Sequence, residues 1–169
     1  MKAITLWQPW ASLLACGAKI YETRSWKTDY RGPIAIHAAQ KPAHKIFSKL
    51  IEYDTAKLML ECLRPLDIWF PADLPHGCII ATADLVNCWR IVNYPGTNVD
   101  MAKNMNIRAR LDVSINHPDF NKYIIPTEQE MLFGDWTTGR YAWEVKNVKI
   151  LPEPISAKGH QRLWNWEEL

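Results

Sequence analysis

Residues 17–26 read Gly-Ala-Lys-Ile-Tyr-Glu-Thr-Arg-Ser-Trp and mark the point where a predicted helix gives way to a predicted strand. Pro9 suits the first turn of that helix, and Gly17 is the residue type that most often ends one. Residues 19–26 alternate enough to form a strand, in which successive side chains point to opposite faces. Lys19 stands at the corner between the two elements, so it need not follow the alternation.

This stretch concentrates charged side chains at a few positions. Glu22 and Arg24 share one face of the predicted strand, which makes an ion pair natural, and Lys19 can turn toward Glu22. Two interpretations stay open. In one, the three side chains line a cleft, where Lys19 and Arg24 hold phosphate and Glu22 positions a base or a water molecule. In the other, they form a surface salt bridge that contributes less than about 1 kcal/mol.

Aromatic residues make up 11% of the 169 residues, and nine residues are tryptophan. Large rings either bury in the core or stack on bases and other flat ligands, so composition leaves both uses open. Trp10 has the same two interpretations: a core position on the helix, or an indole that lines a pocket beside Lys19. Trp26 is the last residue of the predicted strand, on the face of Glu22 and Arg24, and is a second candidate for stacking on an unpaired base.

The remainder of the chain alternates short strands with a few helices. Strands are predicted over residues 2–6, 34–38, 78–86 and 139–145. Helices are predicted over residues 42–63, 127–132 and 159–169. The first of these helices can break near residues 53–55, Thr127 with Glu130 is a capping box for the second, and Pro152 and Pro154 are expected to end the last strand. We expect an α+β fold with a small mixed β-barrel flanked by helices.

The chain length and one weakly patterned stretch determine the expected domain organisation. A chain of 169 residues fits one domain, so residues 1–169 are predicted to form it together. Residues 91–126 are rich in asparagine and carry Pro95-Gly96, which predicts an insertion or irregular excursion, with one strand near Ile107–Val113. There is no glycine-rich phosphate loop of either common kind, so nucleotide binding by those routes is not expected.

Positive charge is concentrated in the N-terminal part of the chain. Residues 1–50 carry eight Lys or Arg and two acidic residues, a net charge of +6, while residues 51–169 carry a net charge of −4. Arg31 belongs to the first group, and Lys158 begins a further basic loop, Lys-Gly-His-Gln-Arg. The pattern indicates an anionic partner, nucleic acid first; scattered surface lysine and a solvated turn remain the alternatives.

The cysteines exclude several kinds of site. Cys16, Cys62, Cys78 and Cys88 form no CxxC pair and have no histidine at zinc-finger spacing. We expect free thiols in a reducing compartment, a cytoplasmic location, and neither a metal nor another cofactor. No apolar run approaches the length of about 18 residues that a membrane helix needs, so no membrane partner is expected. Nothing in the sequence fixes the oligomeric state.

Five segments that follow one another along the chain are LWQPWASLLACGAKIYETRSW, YRGPIAIHAA, GCIIATADLVNCW, GRYAWEV and KGHQRLW. Together they resemble the ASCH domain, the activating signal cointegrator homology domain, and the QPWASL opening resembles the cointegrator-type branch of that family. The family signature GxKxxExR is present as Gly17, Lys19, Glu22 and Arg24. The resemblance implies a PUA-like β-barrel with helices over its ends, a fold that reads RNA or modified bases, in which the last three of these residues line the cleft.

Some small members of the family are amidohydrolases that deacetylate N4-acetylcytidine. They use a lysine, a threonine nucleophile three residues later, and a distant glutamate. This chain has Lys19, but Glu22 stands at the nucleophile position and Thr23 comes one place late, on the opposite face of the predicted strand. Asp84 is the nearest candidate by position for the distant acid. Other members are linked to RNA cleavage, which a Lys, Glu and Arg cluster can support without a metal.

Two functions of different classes are therefore predicted for the same cleft. The first is a module that binds nucleic acid (RNA, or single-stranded or duplex DNA), in which lysine and arginine contact phosphate and tryptophan stacks on an unpaired base. Its predicted contact residues are Trp10, Lys19, Arg24, Ser25, Trp26, Arg31 and Lys158. The second is a hydrolase for RNA or a modified nucleoside, with Glu22 as general base and Lys19 as activator or oxyanion partner. A protein-interaction role would instead show a large exposed apolar patch away from the cleft.

Overall fold

The computed structural model describes residues 1–93, 107–111 and 122–167, and one eight-stranded sheet dominates them. The strands are β1 Lys2–Leu6, β2 Tyr21–Arg24, β3 Gly32–Ala38, β4 Cys78–Asn93, β5 Ile107–Leu111, β6 Tyr123–Ile124, β7 Tyr141–Ser156 and β8 Leu163–Asn165. The helices are α1 Trp10–Ala15, α2 Ala43–Leu50, α3 Tyr53–Leu63 and α4 Glu128–Phe133. Short 3-10 turns occupy Arg64–Leu66 and Pro71–Asp73. The expected mixture of strands and a few helices is confirmed.

The sheet is open, so the predicted closed barrel is wrong for the part of the chain that the structure describes. The strand order is β2-β7-β4-β3-β1-β8, with β5 beside β4 and β6 beside β5. The pair β1–β3 is parallel and the other pairs are antiparallel. Closure of the sheet into a barrel would need another strand paired with the outer edge of β2. That edge is instead bonded to α4 and the loop after it, because Ile20 N–H donates to the Glu130 carboxylate and Asp135 N–H donates to Thr23 Oγ1.

Helix α1 lies between the sheet and the other helices, and both of its sides are buried. Leu14 packs with Ile36 and other residues of β3, β4 and β7, whereas Leu13 packs with Met59 of α3 and Phe133 of α4. Leu13 and Leu14 have no exposed surface, as the helical stripe in the sequence predicts. Burying a leucine side chain contributes about 1.5–3 kcal/mol, so α1 is firmly placed and fixes the turn into β2.

The long strand β7 continues through Pro152 and Pro154, and the prediction that these residues end it is wrong. The pairing of β4 with β7 jumps from Ile155 opposite Ile79 to Ile150 opposite Ala81. The residues between, including both prolines, therefore form a bulge outside the ladder. Proline is tolerated there because the bulged positions need no N–H for strand pairing.

The C-terminal segment forms strand β8, and the prediction of a closing helix is wrong. Asn165 pairs with Lys2 and Leu163 pairs with Ile4, in antiparallel register. A helix here would leave β1 with an unpaired outer edge, because β1 has only β3 on its other side. The tail therefore completes the sheet.

The remaining predictions concern helices and the weakly patterned stretch. Residues 42–63 form two helices, and the break falls at residues 51–52, just before the predicted site. Strand β4 extends to Asn93, beyond its predicted end, and β5 falls inside the range where a strand was predicted. Residues 94–106 and 112–121 of the predicted excursion lie outside the described residues. No helix in the described ranges is long and apolar enough to cross a membrane.

Candidate functional site

A cleft with a volume of about 550 Å³ lies beside the free edge of β2. Its walls come from β1 and the turn into α1, from β2, and from the segment that joins α4 to β7. The lining residues are Thr5, Leu6, Trp7, Trp10, Glu22, Thr23, Arg24, Leu132, Phe133, Gly134, Asp135 and Arg140. A volume of this size is in the range of pockets that bind small molecules and cofactors.

Strand β2 places Glu22 and Arg24 in the cleft as an ion pair. Arg24 Nε lies 3.0 Å from Glu22 Oε1, and Arg24 Nη2 donates to the Thr5 carbonyl at 3.0 Å. The two side chains are 26% and 12% exposed, so this is a half-buried pair and not a solvated surface bridge. The predicted ion pair is confirmed, and it lies inside a cleft.

Lys19 lies behind the cleft and has no exposed surface. Its ammonium group donates to the Tyr21 carbonyl and lies 4.0 Å from Glu22 Oε2 and 3.9 Å from Glu130 Oε2. Burial lowers the pKa of Lys19, and the two carboxylates counteract that effect. The predicted turn toward Glu22 is thus present, but the ammonium group holds two carboxylates and does not face the open space of the cleft.

Glu130 completes this buried charge cluster, and the sequence interpretation missed it as a site residue. Thr127 caps α4 as predicted, since its Oγ1 accepts from Glu130 N–H at 3.2 Å. The Glu130 carboxylate does not close the capping box. Its Oε1 accepts from Ile20 N–H at 2.5 Å, and its Oε2 is buried with no hydrogen-bond partner in the structure. Burial raises the pKa of Glu130, and nearby Lys19 acts in the opposite direction.

A second arginine–carboxylate pair lies on the wall of the cleft that follows α4. Arg140 Nε is 3.2 Å from Asp135 Oδ2, and Arg140 Nη2 donates to the Thr23 carbonyl at 3.3 Å. Burial opposes ionisation of Asp135, but hydrogen bonds from Thr137 and the charge of Arg140 lower its pKa overall. No sequence motif marked this pair, because its members come together only where the loop after α4 meets β7.

Two indoles lie on the α1 side of the cleft. Trp10 lines it and also packs against the helical core, and its stacking on a base stays a prediction. Trp7 lines it with 45% of its surface exposed, and Lys41 Nζ lies 3.5 Å from the centre of its ring. Trp7 was not among the predicted contacts, although it immediately precedes the QPW motif.

The other predicted contacts lie outside the cleft lining. Trp26 packs edge-on against Trp143, with ring centres 4.5 Å apart. Ser25 and Lys158 are exposed, and Arg31 is exposed while its Nη1 donates to the Thr28 and Tyr30 carbonyls. The structure therefore brings Trp10, Glu22 and Arg24 together in the cleft, and this second group is not part of its lining.

Two residues that bear on the hydrolase comparison differ from expectation. Asp84 accepts from Asn147 and lines a separate cavity with Pro33, so it does not supply the distant acid beside Lys19. Thr23 lines the same cleft as Glu22, although neighbouring strand residues point to opposite faces. The loop after α4, which forms one wall of the cleft, reaches Thr23, because Asp135 N–H donates to Thr23 Oγ1 at 3.0 Å.

Clusters of metal-ligating side chains and exposed apolar side chains bear on the remaining predictions. No three His, Cys, Asp or Glu residues within the described ranges lie close enough together to hold a metal ion. All four cysteines are free. Large apolar side chains away from the cleft include Tyr53, Trp69 and Phe70, which are 82%, 52% and 68% exposed. A protein-contact role for them stays a prediction.

Comparison with known proteins identifies the family. The ASCH domain model matches residues 4–150, which is most of the chain. The chain belongs to the ASCH domain family. It is 41% identical over 86 residues to human activating signal cointegrator 1 and 40% identical over 86 residues to the mouse protein. Each match covers 50% of this chain and 14% of the relative, so the ASCH chain spans a small part of these proteins.

Proposed function

We propose that this ASCH domain binds single-stranded nucleic acid and takes one unpaired base into the cleft beside β2. The observation that carries the proposal is the presence of two indoles, Trp7 and Trp10, and two arginine–carboxylate pairs in one cleft of about 550 Å³. Membership of the ASCH family and similarity to activating signal cointegrator 1 support a role related to nucleic acid.

The charge balance of the cleft favours a base over a phosphate as its occupant. Arg24 and Arg140 supply positive charge, and Glu22 and Asp135 oppose each of them at 3.0 and 3.2 Å. A base edge carries donors and acceptors, which such pairs can match, whereas a phosphate would meet the two carboxylates. Indole stacking adds about 1–3 kcal/mol per base and tolerates different bases.

We assign the phosphate contacts to exposed cationic side chains outside the cleft lining. Arg31 and Lys158 are exposed, whereas Arg24 is paired with Glu22 and is left to contact the base. We assign Lys19 a positioning role, because its buried ammonium holds Glu22, which in turn holds Arg24. Phosphate contacts of this kind place the strand without reading its sequence.

The test is fluorescence anisotropy of short labelled single-stranded RNA, single-stranded DNA and duplex DNA at two salt concentrations. The variants are Trp7→Ala and Arg24→Gln, which change cleft residues that are not fully buried. Each is expected to weaken single-strand binding by about tenfold or more, from the loss of stacking or of a charged contact.

Two controls lie outside the cleft. Trp69→Ala removes an exposed indole, and Lys149→Gln removes an exposed charge beside the separate cavity. Both should bind as the unmodified protein does. Equal binding by the cleft variants and the unmodified protein would contradict the site. Preferential binding of duplex DNA would contradict an unpaired base as the occupant.

A hydrolase in the same cleft is a second candidate, and the buried cluster of Lys19, Glu22 and Glu130 is the observation that favours it. Burial lowers the pKa of Lys19 and raises that of Glu130, and titratable groups displaced in this way are common at active sites. Glu22, which lines the cleft, would act as general base toward water, and Lys19, whose ammonium group lies 4.0 Å from Glu22 Oε2, would be its activator. The substrate would be RNA or a modified nucleoside such as N4-acetylcytidine.

Turnover of N4-acetylcytidine and of short RNA, followed by chromatography, tests this candidate. Glu22→Gln should reduce turnover by about 100-fold or more, because general base catalysis typically contributes at least that much. Asp84→Asn is the matched control, since Asp84 lies in the separate cavity. Full turnover by the Glu22 variant, or none by the unmodified protein, would eliminate the candidate.

A further inference from the structure

We infer that Trp26 and Arg162 form a second nucleotide subsite, which binds the nucleotide that adjoins the base in the cleft. The inference rests on the proposed function and extends it from one nucleotide to two. The carbon of the Arg162 guanidinium lies 5.7 Å from the centre of the Trp26 ring. An arginine plane on an indole can stack with a base while its N–H groups bind phosphate.

The Trp26 indole packs against a buried tryptophan, which fixes the position of the ring in the subsite. Trp26 contacts Trp143 in a T-shaped arrangement, and Trp143 Nε1 donates to the Trp26 carbonyl at 3.3 Å. Trp143 is fully buried in the main core. Trp26 is only partly buried, so the ring keeps accessible surface beside Arg162.

Arg162 has an unusual backbone conformation and an exposed side chain. Its φ of +60° is in the left-handed region, which costs a non-glycine residue on the order of 1 kcal/mol. Its side chain is exposed, and among the residues that the structure describes it makes no ion pair with a carboxylate. Its positive charge is therefore uncompensated, unlike the charges of Arg24 and Arg140 in the cleft.

The segment that carries Arg162 is anchored to the wall of the cleft. His37 Nε2 bonds the Ala157 carbonyl at 3.0 Å, and Trp164 Nε1 donates to Thr5 Oγ1 at 3.1 Å. Thr5 lines the cleft, and its carbonyl accepts from Arg24. The same residue thus connects the cleft to the segment beside it, which fixes the spacing of the two subsites.

That spacing suits two consecutive nucleotides. Arg24 in the cleft and Trp26 in the subsite are two residues apart along the chain, and residues 25 and 26 form a bend after β2, so their Cα atoms lie at most about 7 Å apart. The linking phosphate would then lie beside the uncompensated guanidinium of Arg162, and the second base would stack on the platform of Trp26 and Arg162.

Calorimetric titration with uridine oligonucleotides of one to four residues, and with the thymidine series in parallel, tests the inference. The unmodified protein should gain about tenfold in affinity between one and two nucleotides, the equivalent of one stacked base. Arg162→Gln should bind the mononucleotide as the unmodified protein does and lose most of that gain. Arg162→Lys, which keeps the charge without the plane, should retain part of it, and Lys149→Gln should retain all of it.

The outcomes distinguish this subsite from the cleft. Mononucleotide binding without a gain at the second nucleotide, or a gain that Arg162→Gln keeps, would overturn the subsite and leave the cleft proposal in place. No binding of any oligonucleotide would overturn both. Thermal unfolding of Arg162→Gln serves as the folding control, and an unchanged midpoint is expected because the side chain is exposed.

Discussion

The ammonium group of Lys19 has no contact with solvent and lies close to two carboxylates. It lies 4.0 Å from Glu22 Oε2 and 3.9 Å from Glu130 Oε2, and its own carbonyl contact is to Tyr21. Removing one partner of a buried ion pair usually destabilises a protein strongly, because the remaining charge stays buried without compensation. In this ASCH domain the loss would also release Glu22, which positions Arg24 in the cleft.

We predict that Lys19→Met lowers the free energy of unfolding by about 3 kcal/mol near pH 7.5. The loss should be smaller near pH 5. The folded-state pKa of Glu130 is already above its ordinary value, and removing Lys19 raises it further. The folded variant then keeps a proton that the unfolded chain releases, so its stability increases as pH falls through that window. Urea unfolding at the two pH values measures both effects.

The double variant Lys19→Met, Glu130→Gln provides the control. It removes both buried charges while the amide oxygen can still accept from Ile20 N–H, which bonds Glu130 at present. It should be more stable than the single variant near pH 7.5 and show little of the pH effect. An equal loss at both pH values in the single variant would contradict the assignment of charge to Glu130.

At the scale of single residues, the sequence predicted the ion pair of Glu22 and Arg24 but missed Glu130. The orientation of Glu22 toward Arg24 follows from strand alternation, and Lys19 was expected to turn because it stands at a corner. Glu130 joins them from 110 positions beyond Ile20, through the docking of α4 on residues 18–20. No local pattern encodes that docking. The available signal was an acidic residue in a capping box, which has a second possible use for its carboxylate.

At the scale of the elements, the ends of the strands could be predicted only in part from the sequence. Alternation and apolar runs predicted where the strands lie, but hydrogen-bonded pairing with the neighbouring strands determines where each strand ends. Pro152 and Pro154 end a strand only if their positions need an N–H donor, and the bulge in β7 removes that need. The tail became β8 because β1 has a free edge, and such an edge depends on the order of strands in the sheet.

The segment between β7 and β8 passes close against β1 and β3 at Gly159. A Cβ atom added there would lie 2.4 Å from His37 Cε1 and 2.9 Å from Thr5 Oγ1, well inside van der Waals contact. We predict that Gly159→Ala lowers the free energy of unfolding by about 1–3 kcal/mol through overpacking. It should also displace the segment that carries Arg162, so that affinity for a dinucleotide falls more than affinity for a mononucleotide.

Thermal unfolding and the calorimetric series measure the two parts of this prediction. The double variant His37→Ala, Gly159→Ala removes the ring that the new methyl group would contact. A double-mutant cycle should therefore show a favourable coupling of the two substitutions. Additive losses in the cycle would mean that His37 and Gly159 do not pack together as the structure places them.

For the whole molecule, the sequence motifs predicted the family correctly and the closure of the sheet incorrectly. The ordered motifs identified the ASCH family, whose model matches residues 4–150. An open sheet rather than a barrel follows from what occupies the free edge of β2, namely Glu130, Asp135 and Arg140. Those residues come from a different part of the chain, so the motif around Glu22 and Arg24 could not specify the edge.

The distribution of charge over the molecule makes a quantitative prediction about binding. The net charge is +2, but residues 1–50 carry +6, and Arg31, Lys158 and Arg162 are exposed, whereas Arg24 and Arg140 in the cleft are paired with carboxylates. If these three side chains contact phosphates of a single strand, the logarithm of affinity should fall against the logarithm of salt concentration with a slope of about −2. Anisotropy titrations over a salt series give the slope directly.

The double variant Arg31→Gln, Lys158→Gln should reduce this slope to about −0.7 and weaken different sequences equally, because phosphate contacts carry no base information. Lys149→Gln should leave the slope unchanged. A slope near zero in the unmodified protein would show that binding depends on the cleft alone, and the exposed arginines and lysine would then be surface charges without a role in binding.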